Sequence, residues 1–119
     1  MLDRKRHNYK NLKNWSLGIE ITNEVFEIKS CFPKEEKFGL TSQINNCSIS
    51  IPSNIAEGSV GTDKSFAYFL DILLGSSFEL STQLILAEKR KYITHEKLTQ
   101  IEKNIEEFQK RTMGFQKRL

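Results

Sequence analysis

Residues 48–61, SISIPSNIAEGSVG, contain polar side chains whose types and spacing could support chemistry. Glu57 and, in a later helical segment, Glu79 both follow apolar residues, and buried carboxylic acids can have the raised pKa values that acid–base catalysis needs. Ser48 has no histidine nearby in the sequence to activate it as a nucleophile. We therefore interpret these residues as structural, and expect Glu57 and Glu79 to accept hydrogen bonds from serine, asparagine or backbone groups of a neighbouring helix.

No other motif in the sequence predicts catalysis, a metal site or a cofactor. A di-iron bundle needs Glu-x-x-His pairs on facing helices, and neither His7 nor His95 stands in that pattern. Cys31 and Cys47 lack the spacing of a redox pair or a zinc site, and we expect two reduced, half-buried thiols. The glycine-rich motifs that bind nucleotide phosphates are also missing. The sequence thus favours a protein that is not an enzyme.

Pro52 gives a structural reason for polar residues in this segment. A proline inside a helix removes one backbone hydrogen bond and predicts a kink near Ser48, at a cost of about 3 kcal/mol unless neighbours compensate. The unpaired carbonyl needs a donor, which serine, asparagine or water can provide. Gly58 and Gly61 are expected to end the helix as C′ glycines. The residues predicted to serve structure or assembly are Ser48, Pro52, Asn54, Glu57, Gly58, Gly75, Ser76 and Glu79.

Hydrophobic periodicity predicts four amphipathic helices in a single domain, residues 1–119. The expected ranges are 14–31, 40–58, 63–91 and 94–117, after a basic N-terminal arm at 1–13. Thr41 or Ser42 is expected to cap the second helix, and Thr62 or Asp63 the third. Short connections make successive helices antiparallel neighbours. The predicted fold is all-α, an antiparallel up-and-down four-helix bundle.

The first and third helices have more apolar surface than one small bundle can bury. The first has two stripes, Trp15, Ile19 and Phe26 in one and Ile21, Val25, Ile28 and Phe32 in the other. The third has a main stripe and a second one of Ala67, Leu74, Phe78 and Ile85. Gly75 also lowers helix propensity by about 1 kcal/mol, which the close approach of a neighbouring helix would explain. Because monomers rarely expose large apolar patches, we predict a homo-oligomer.

Positive charge is concentrated at the two ends of the chain. The net charge is +3, but residues 1–14 and 88–119 carry +4 each, whereas residues 15–87 carry −5. Basic clusters attract polyanions, so the sequence predicts contact with RNA or DNA. The candidate residues are Arg4, Lys5, Arg6, Lys10, Lys64, Lys89, Arg90 and Lys91. No apolar run reaches the roughly 18 residues of a membrane span, and no secretory signal is recognised, so a cytoplasmic protein without membrane contact is expected.

The segment FGLTSQINNCSISIPSNIAEG, followed by SFAYFLDILLGSSFEL, resembles the four-helix-bundle family first met as proteins encoded by intervening sequences within bacterial 23S rRNA genes. The NIAEG stretch at 54–58 is the most specific part, and the resemblance covers about residues 12–110. It implies a left-handed bundle that assembles as a homopentamer around a central channel. The family also includes accessory proteins of diversity-generating retroelements, which look like basic pentamers that bind nucleic acid and a reverse transcriptase. Asn46 and Thr62 depart from the family's pattern, in which a basic residue is common at each of these two positions.

Two classes of function remain open at this point. The first is a non-enzymatic oligomer that binds nucleic acid through basic surfaces, with an affinity that falls steeply with salt. The second is a protein-interaction scaffold without nucleic acid binding, whose partner is a reverse transcriptase or another protein. A product of an intervening sequence or a related chromosomal gene with no defined cellular role is also compatible with these residues.

Overall fold

The computed structural model describes residues 7–119, and in that range it contains four α-helices and no strand. The helices are α1, Lys13–Ile28; α2, Leu40–Gly58; α3, Asp63–Lys89; and α4, His95–Lys117. Short 3₁₀ helices occupy Tyr9–Asn11, Lys29–Cys31 and Lys34–Glu36. The all-α four-helix prediction is confirmed, while the handedness of the bundle and the pentamer stay predictions. Arg4, Lys5 and Arg6 lie outside the described residues.

Each helix packs against two others in an up-down-up-down order. α2 lies between α1 and α3, and α4 lies between α3 and α1. At one end of the bundle, His7 Nε2 lies 3.1 Å from Asp63 Oδ1, and the His7 ring lies 5.6 Å from the ring of Phe115. At the other end, the Tyr92 hydroxyl donates to Glu36 Oε2 over 2.9 Å. We call these the α1-start end and the α1-finish end; they are separate surfaces of a molecule 56 Å long.

One apolar stripe from each helix forms the core. In α1 and the turn that follows it, this stripe is one of the two predicted, Ile21, Val25, Ile28 and Phe32, with Leu17 added. In α3 the buried stripe is Phe66, Leu70, Leu73, Ser77, Leu80, Leu84 and Ala87, each fully inaccessible to solvent. Phe108 of α4 is equally buried, and complete burial of a phenylalanine contributes about 2–3 kcal/mol. The core thus uses one face of each helix.

The second stripes of α1 and α3 remain largely on the surface of the single chain. Ile19 and Phe26 are 42% and 41% exposed, and Phe78 and Ile85 are 56% and 39% exposed. By length and composition alone, α3 is apolar enough to cross a membrane, but the core helix of a soluble bundle passes the same test. α3 is this apolar because one side of the helix supplies a stripe of the core and the other side carries exposed apolar residues.

The capping residues of the helices agree only in part with the sequence-based expectations. Thr62 caps α3 by accepting the amide of Ser65 over 3.1 Å. The prediction that Thr41 or Ser42 caps α2 is wrong, because Glu36 Oε1 accepts the amide of Leu40 over 3.2 Å. That bond, followed by the one from the Tyr92 hydroxyl, lowers the pKa of Glu36. A single carboxylate therefore joins the start of α2 to the α3–α4 turn.

Two helices end earlier than expected because tighter local structures replace the last helical turn. Instead of continuing to residue 31, α1 ends at Ile28 and passes into a 3₁₀ turn. α3 ends at Lys89 instead of residue 91, and Lys91 adopts a φ of +65°. The amides of Lys91 and Tyr92 donate to the carbonyls of Glu88 and Ala87, both over 2.9 Å. This is the bonding of a Schellman motif with lysine at the position where glycine is usual.

Candidate functional site

The basic residues predicted to bind nucleic acid do not form one patch. Lys10 and Lys64 lie at the α1-start end, close to the His7–Asp63 contact. Lys89, Arg90 and Lys91 lie at the α1-finish end, because α3 separates Lys64 from Lys89 by 25 residues, about 38 Å at 1.5 Å per residue. In a single chain the described candidates therefore lie on two separate surfaces.

At the α1-finish end, the candidate cations are mixed with carboxylates. Arg90 lies close enough to Glu36 to contribute to the lowered pKa of that carboxyl. His95 Nδ1 lies 3.2 Å from Glu88 Oε2. Lys91 occupies the left-handed position that ends α3. These side chains have structural roles at the α3–α4 turn, and the positive potential there is partly neutralised.

At the α1-start end, a cleft of about 550 Å³ lies between the beginning of α1 and the last turns of α4. The residues that line it are Asn11, Leu12, Lys13, Asn14, Lys110, Arg111, Gly114, Phe115 and Arg118. Four are cations and none is acidic. None of these four was singled out from the sequence, because Lys13 and Lys110 are almost 100 positions apart and no local pattern joins them. We call this surface the α1–α4 cleft.

The carbonyl that Pro52 leaves without a helical donor belongs to Ser48, which is fully buried. Its donor is the hydroxyl of Thr22, on α1, at 2.9 Å. The prediction that serine or asparagine of the same segment supplies it is wrong: Ser48 Oγ donates to the Asn45 carbonyl, and Asn54 Nδ2 to the Ser50 carbonyl. Ser48 and Pro52 are thus part of a contact between two helices.

Two glycines permit close approach of helices along α2. A Cβ on Gly58 would lie 2.7 Å from Phe69 Cβ, and a Cβ on Gly18 would lie 3.3 Å from Ile51 Cγ2. Gly58 is the last residue of α2, as predicted, but neither it nor Gly61 has a positive φ, so the C′ role is wrong. The reason for glycine at 58 is space. Gly18 was missed because nothing in its local sequence marks the contact.

Other residues assigned to structure or assembly have few partners inside the chain. A Cβ on Gly75 would meet no atom within 4 Å, so the expected close helix approach there is wrong for the single chain. Ser76 contributes its carbonyl, which accepts from the Cys47 thiol over 3.0 Å. Glu57 and Glu79 are exposed, and Glu79 accepts from the Gln83 amide over 3.3 Å rather than from serine, asparagine or backbone.

Most of the exposed apolar residues lie on two separate surfaces. The α1–α2 face contains a shallow groove of about 370 Å³, lined by Tyr9, Trp15, Ile19, Thr22, Phe26, Ile49, Pro52, Ser53 and Ala56. The α3 face carries Tyr68, Ile72, Phe78, Ile85 and Leu86, which are between 39% and 64% exposed. Gly75 and Glu79 belong to the solvent side of the same helix. The two surfaces are different, which matters for the kind of assembly they can form.

The two cysteines differ, and neither is half-buried as expected. Cys31 is exposed, whereas Cys47 is buried, and loss of solvent, followed by the nearby charge of Glu79, raises the pKa of Cys47 to about 12. At pH 8 we expect one thiol per chain to react rapidly with a thiol reagent, since only the thiolate reacts. Absorbance should report one fast equivalent, which Cys31→Ser abolishes. Two fast equivalents in the native wild type would contradict the burial of Cys47.

Within residues 7–119, no group of three or more His, Cys, Asp or Glu side chains is placed to hold a metal ion. His7 and His95 pair with Asp63 and Glu88 at opposite ends of the bundle, and no serine or cysteine shares either contact. The described residues therefore bring together no constellation that resembles a nucleophile and its base.

A four-helix bundle with charged ends and apolar long faces defines this molecule as a helical-bundle protein without a recognisable catalytic centre in the described residues. The model of the 23S rRNA-intervening sequence protein family matches residues 10–114, and the chain belongs to that family. No curated protein matches the sequence. A crystal structure of a protein of unknown function of the S23 ribosomal protein family, from Bacteroides thetaiotaomicron VPI-5482, has a TM-score of 0.80 at 23% identity, covering 87% of this chain and 98% of that one. That likeness supports the fold.

Proposed function

We propose that this protein is a non-enzymatic, self-assembling bundle of the cytoplasm that binds nucleic acid at its α1-start end. The observation that supports this best is the concentration of cations there: Lys10, Lys13, Lys64, Lys110, Arg111, Lys117 and Arg118. The carboxylates at the same end are fewer, Glu20, Glu57, Asp63, Asp71 and Glu107. A surface with excess positive charge attracts the phosphate backbone independently of base sequence.

Assembly is supported by the two apolar faces. Because the α1–α2 face and the α3 face are different, their contact is heterologous, with one face of each subunit against the other face of the next. Such contacts close into a ring when the rotation between subunits allows it. Gly75 would let a helix of a neighbouring subunit approach α3 closely. Such a contact would explain the glycine, for which the single chain offers no reason. We propose the homopentamer that the family resemblance implies.

Assembly would strengthen nucleic acid binding without new kinds of contact. Five chains of net charge +3 carry +15, and each presents the same basic end. Linked weak sites gain avidity when one strand reaches several of them. The proposal therefore combines a weak site on each chain with a geometry that repeats it.

The test is a titration of labelled single-stranded, duplex and structured RNA with the purified protein, followed by fluorescence anisotropy at several salt concentrations. Oligomeric mass is measured by light scattering in the same samples. We expect binding that weakens by at least about tenfold between 50 and 200 mM salt, as counterion release from several phosphates requires. Binding that is absent at low salt, or unchanged at high salt, would refute the proposal.

A second candidate function, a scaffold that binds another protein, is favoured by Phe38. This side chain is 89% exposed in the turn before α2, beside a depression lined by Lys29, Lys37 and Asn45. A large aromatic side chain that is almost fully exposed is typical of a surface that contacts another protein. Recovery of one stoichiometric partner, such as a reverse transcriptase, after nuclease treatment, and its loss with Phe38→Ser, would support this function; recovery of nucleic acid alone would exclude it.

A further inference from the structure

Four cations and no carboxylate line the α1–α4 cleft, a charge balance that favours an anion. Its cations come from both walls: Lys13 from the first turn of α1, and Lys110, Arg111 and Arg118 from α4. Arg111 Nε lies 3.4 Å from Glu107 Oε1, an exposed pair that is screened by water. Glu107 does not line the cleft, so the charge inside it remains positive.

An unpaired polar side chain forms part of the cleft. Asn14 is only 4% exposed, and its Nδ2 has no hydrogen-bond partner among the residues that the structure describes. Burying an amide donor without an acceptor costs about 1–3 kcal/mol. An acceptor oxygen in the cleft would remove that cost. Of the side chains with such unpaired buried atoms, Asn14 is the one that lines this cleft.

The start of α1 adds backbone donors to the same place. The N-cap residue is Leu12, whose side chain cannot accept a hydrogen bond, and no other side chain caps this end. The amides of Trp15 and Ser16 donate to the Leu12 carbonyl, so those of Lys13 and Asn14 have no acceptor among the described residues and are left for an external one. The helix dipole favours an anion there. Leu12, Lys13 and Asn14 all line the cleft.

From these three features we infer that the α1–α4 cleft binds a phosphate group of a nucleic acid backbone. The Asn14 amide and the first-turn amides of α1 donate to phosphate oxygens, and the cations of α4 neutralise the charge. A phosphodiester fits better than a carboxylate ligand because its oxygens can accept from both walls at once, and arginine binds phosphate through two parallel donors. The inference names the contact site for the proposed function and rests on it for the identity of the ligand.

Two charge-matched triple variants test the inference in the anisotropy assay. The cleft variant carries Lys110→Gln, Arg111→Gln and Arg118→Gln. The control carries Lys34→Gln, Lys89→Gln and Arg90→Gln at the α1-finish end, so it loses the same charge from residues that are also exposed. We expect the cleft variant to lose at least about tenfold in RNA affinity, with the slope of log affinity against log salt reduced by about one, and the control less than about threefold.

A third variant separates phosphate binding from fold stability. Asn14→Leu removes the unpaired amide and keeps similar volume, so thermal unfolding should shift little or upward, while RNA affinity falls by several-fold. A separate titration with inorganic phosphate, followed by the NMR signal of the Asn14 side-chain amide, reports on the cleft without RNA. That signal should shift in the wild type and not in the cleft triple variant.

The outcomes distinguish the inference from the proposed function. Equal losses of RNA affinity in both triple variants would overturn the cleft site and leave nucleic acid binding by this protein intact. No RNA binding, together with a phosphate-induced shift of the Asn14 signal, would refute the proposed function and support a phosphate site with another ligand. An unmoved Asn14 signal with RNA binding unaffected in the cleft variant would overturn the inference outright.

Discussion

Gly58→Ala is expected to destabilise the folded chain by about 2 kcal/mol, although alanine is the better helix former. The added methyl group would lie 2.7 Å from Phe69 Cβ and 2.9 Å from Phe66 Cδ1. Phe69 Cβ is attached directly to the backbone of α3, so it cannot move away without shifting the helix. Overpacking of this kind costs about 1–3 kcal/mol or more, which exceeds the gain of up to about 1 kcal/mol in helix propensity. Urea unfolding measures the difference.

Gly75→Ala is the matched control, with an effect of opposite sign. A Cβ at Gly75 meets nothing within 4 Å in the single chain, so the helix propensity gain of about 0.5–1 kcal/mol is not offset. At low protein concentration the variant should therefore be more stable than the wild type. A Gly58→Ala protein as stable as Gly75→Ala would show that α2 and α3 are not in close contact at residue 58.

The same control also reports on assembly. If the α3 face contacts a neighbouring subunit through Gly75, the added methyl group would weaken that contact while stabilising the monomer. The stability of Gly75→Ala relative to wild type would then reverse in sign as the protein concentration rises through the assembly range. A constant difference at all concentrations would exclude Gly75 from the interface.

The parts of the fold that could be predicted from the sequence are those with a local signal. Apolar residues at helical spacing identified four helices, and the range 40–58 of α2 agrees at both ends. The spacing predicts Leu40, Ile44, Cys47, Ile51 and Ile55 as the inward residues of α2. The last four are buried, and Leu40 is only partly buried against the core. The excess apolar surface of α1 and α3 was likewise visible, because a second stripe at the same period is a property of one helix alone.

The parts that could not be predicted depend on pairs of residues far apart in the chain. Thr22 donates to a carbonyl 26 residues later, and Glu36 accepts from a hydroxyl 56 residues later. For the unpaired carbonyl, the sequence suggested neighbours in the same segment, since only those were visible. The α1–α4 cleft was missed for the same reason: neither the start of α1 nor the end of α4 is remarkable alone, and the site exists only because the bundle places them side by side.

Thr22→Val is expected to destabilise the chain by about 1–3 kcal/mol, despite keeping nearly the same shape. The Thr22 hydroxyl lies 2.9 Å from the carbonyls of both Gly18 and Ser48, but it has one proton to donate. The Gly18 carbonyl can accept a hydrogen bond from the backbone amide of Thr22, four residues later in α1. The Ser48 carbonyl has no such donor, because Pro52 has no backbone N–H. Valine therefore leaves a buried carbonyl unpaired, which costs about that amount. Thr22→Ser keeps the hydroxyl and should lose much less.

A double-mutant cycle with Pro52→Ala isolates this hydrogen bond. Alanine at 52 restores an amide that can donate to the Ser48 carbonyl within α2, so Thr22 is no longer the required donor. Thr22→Val should then cost less than about 0.5 kcal/mol in the Pro52→Ala background, giving a coupling of about 0.5–3 kcal/mol by chemical denaturation. The same cost in both backgrounds would mean that Thr22 acts by packing or through Gly18. A large coupling would instead establish that α1 supplies the donor that a proline removed from α2.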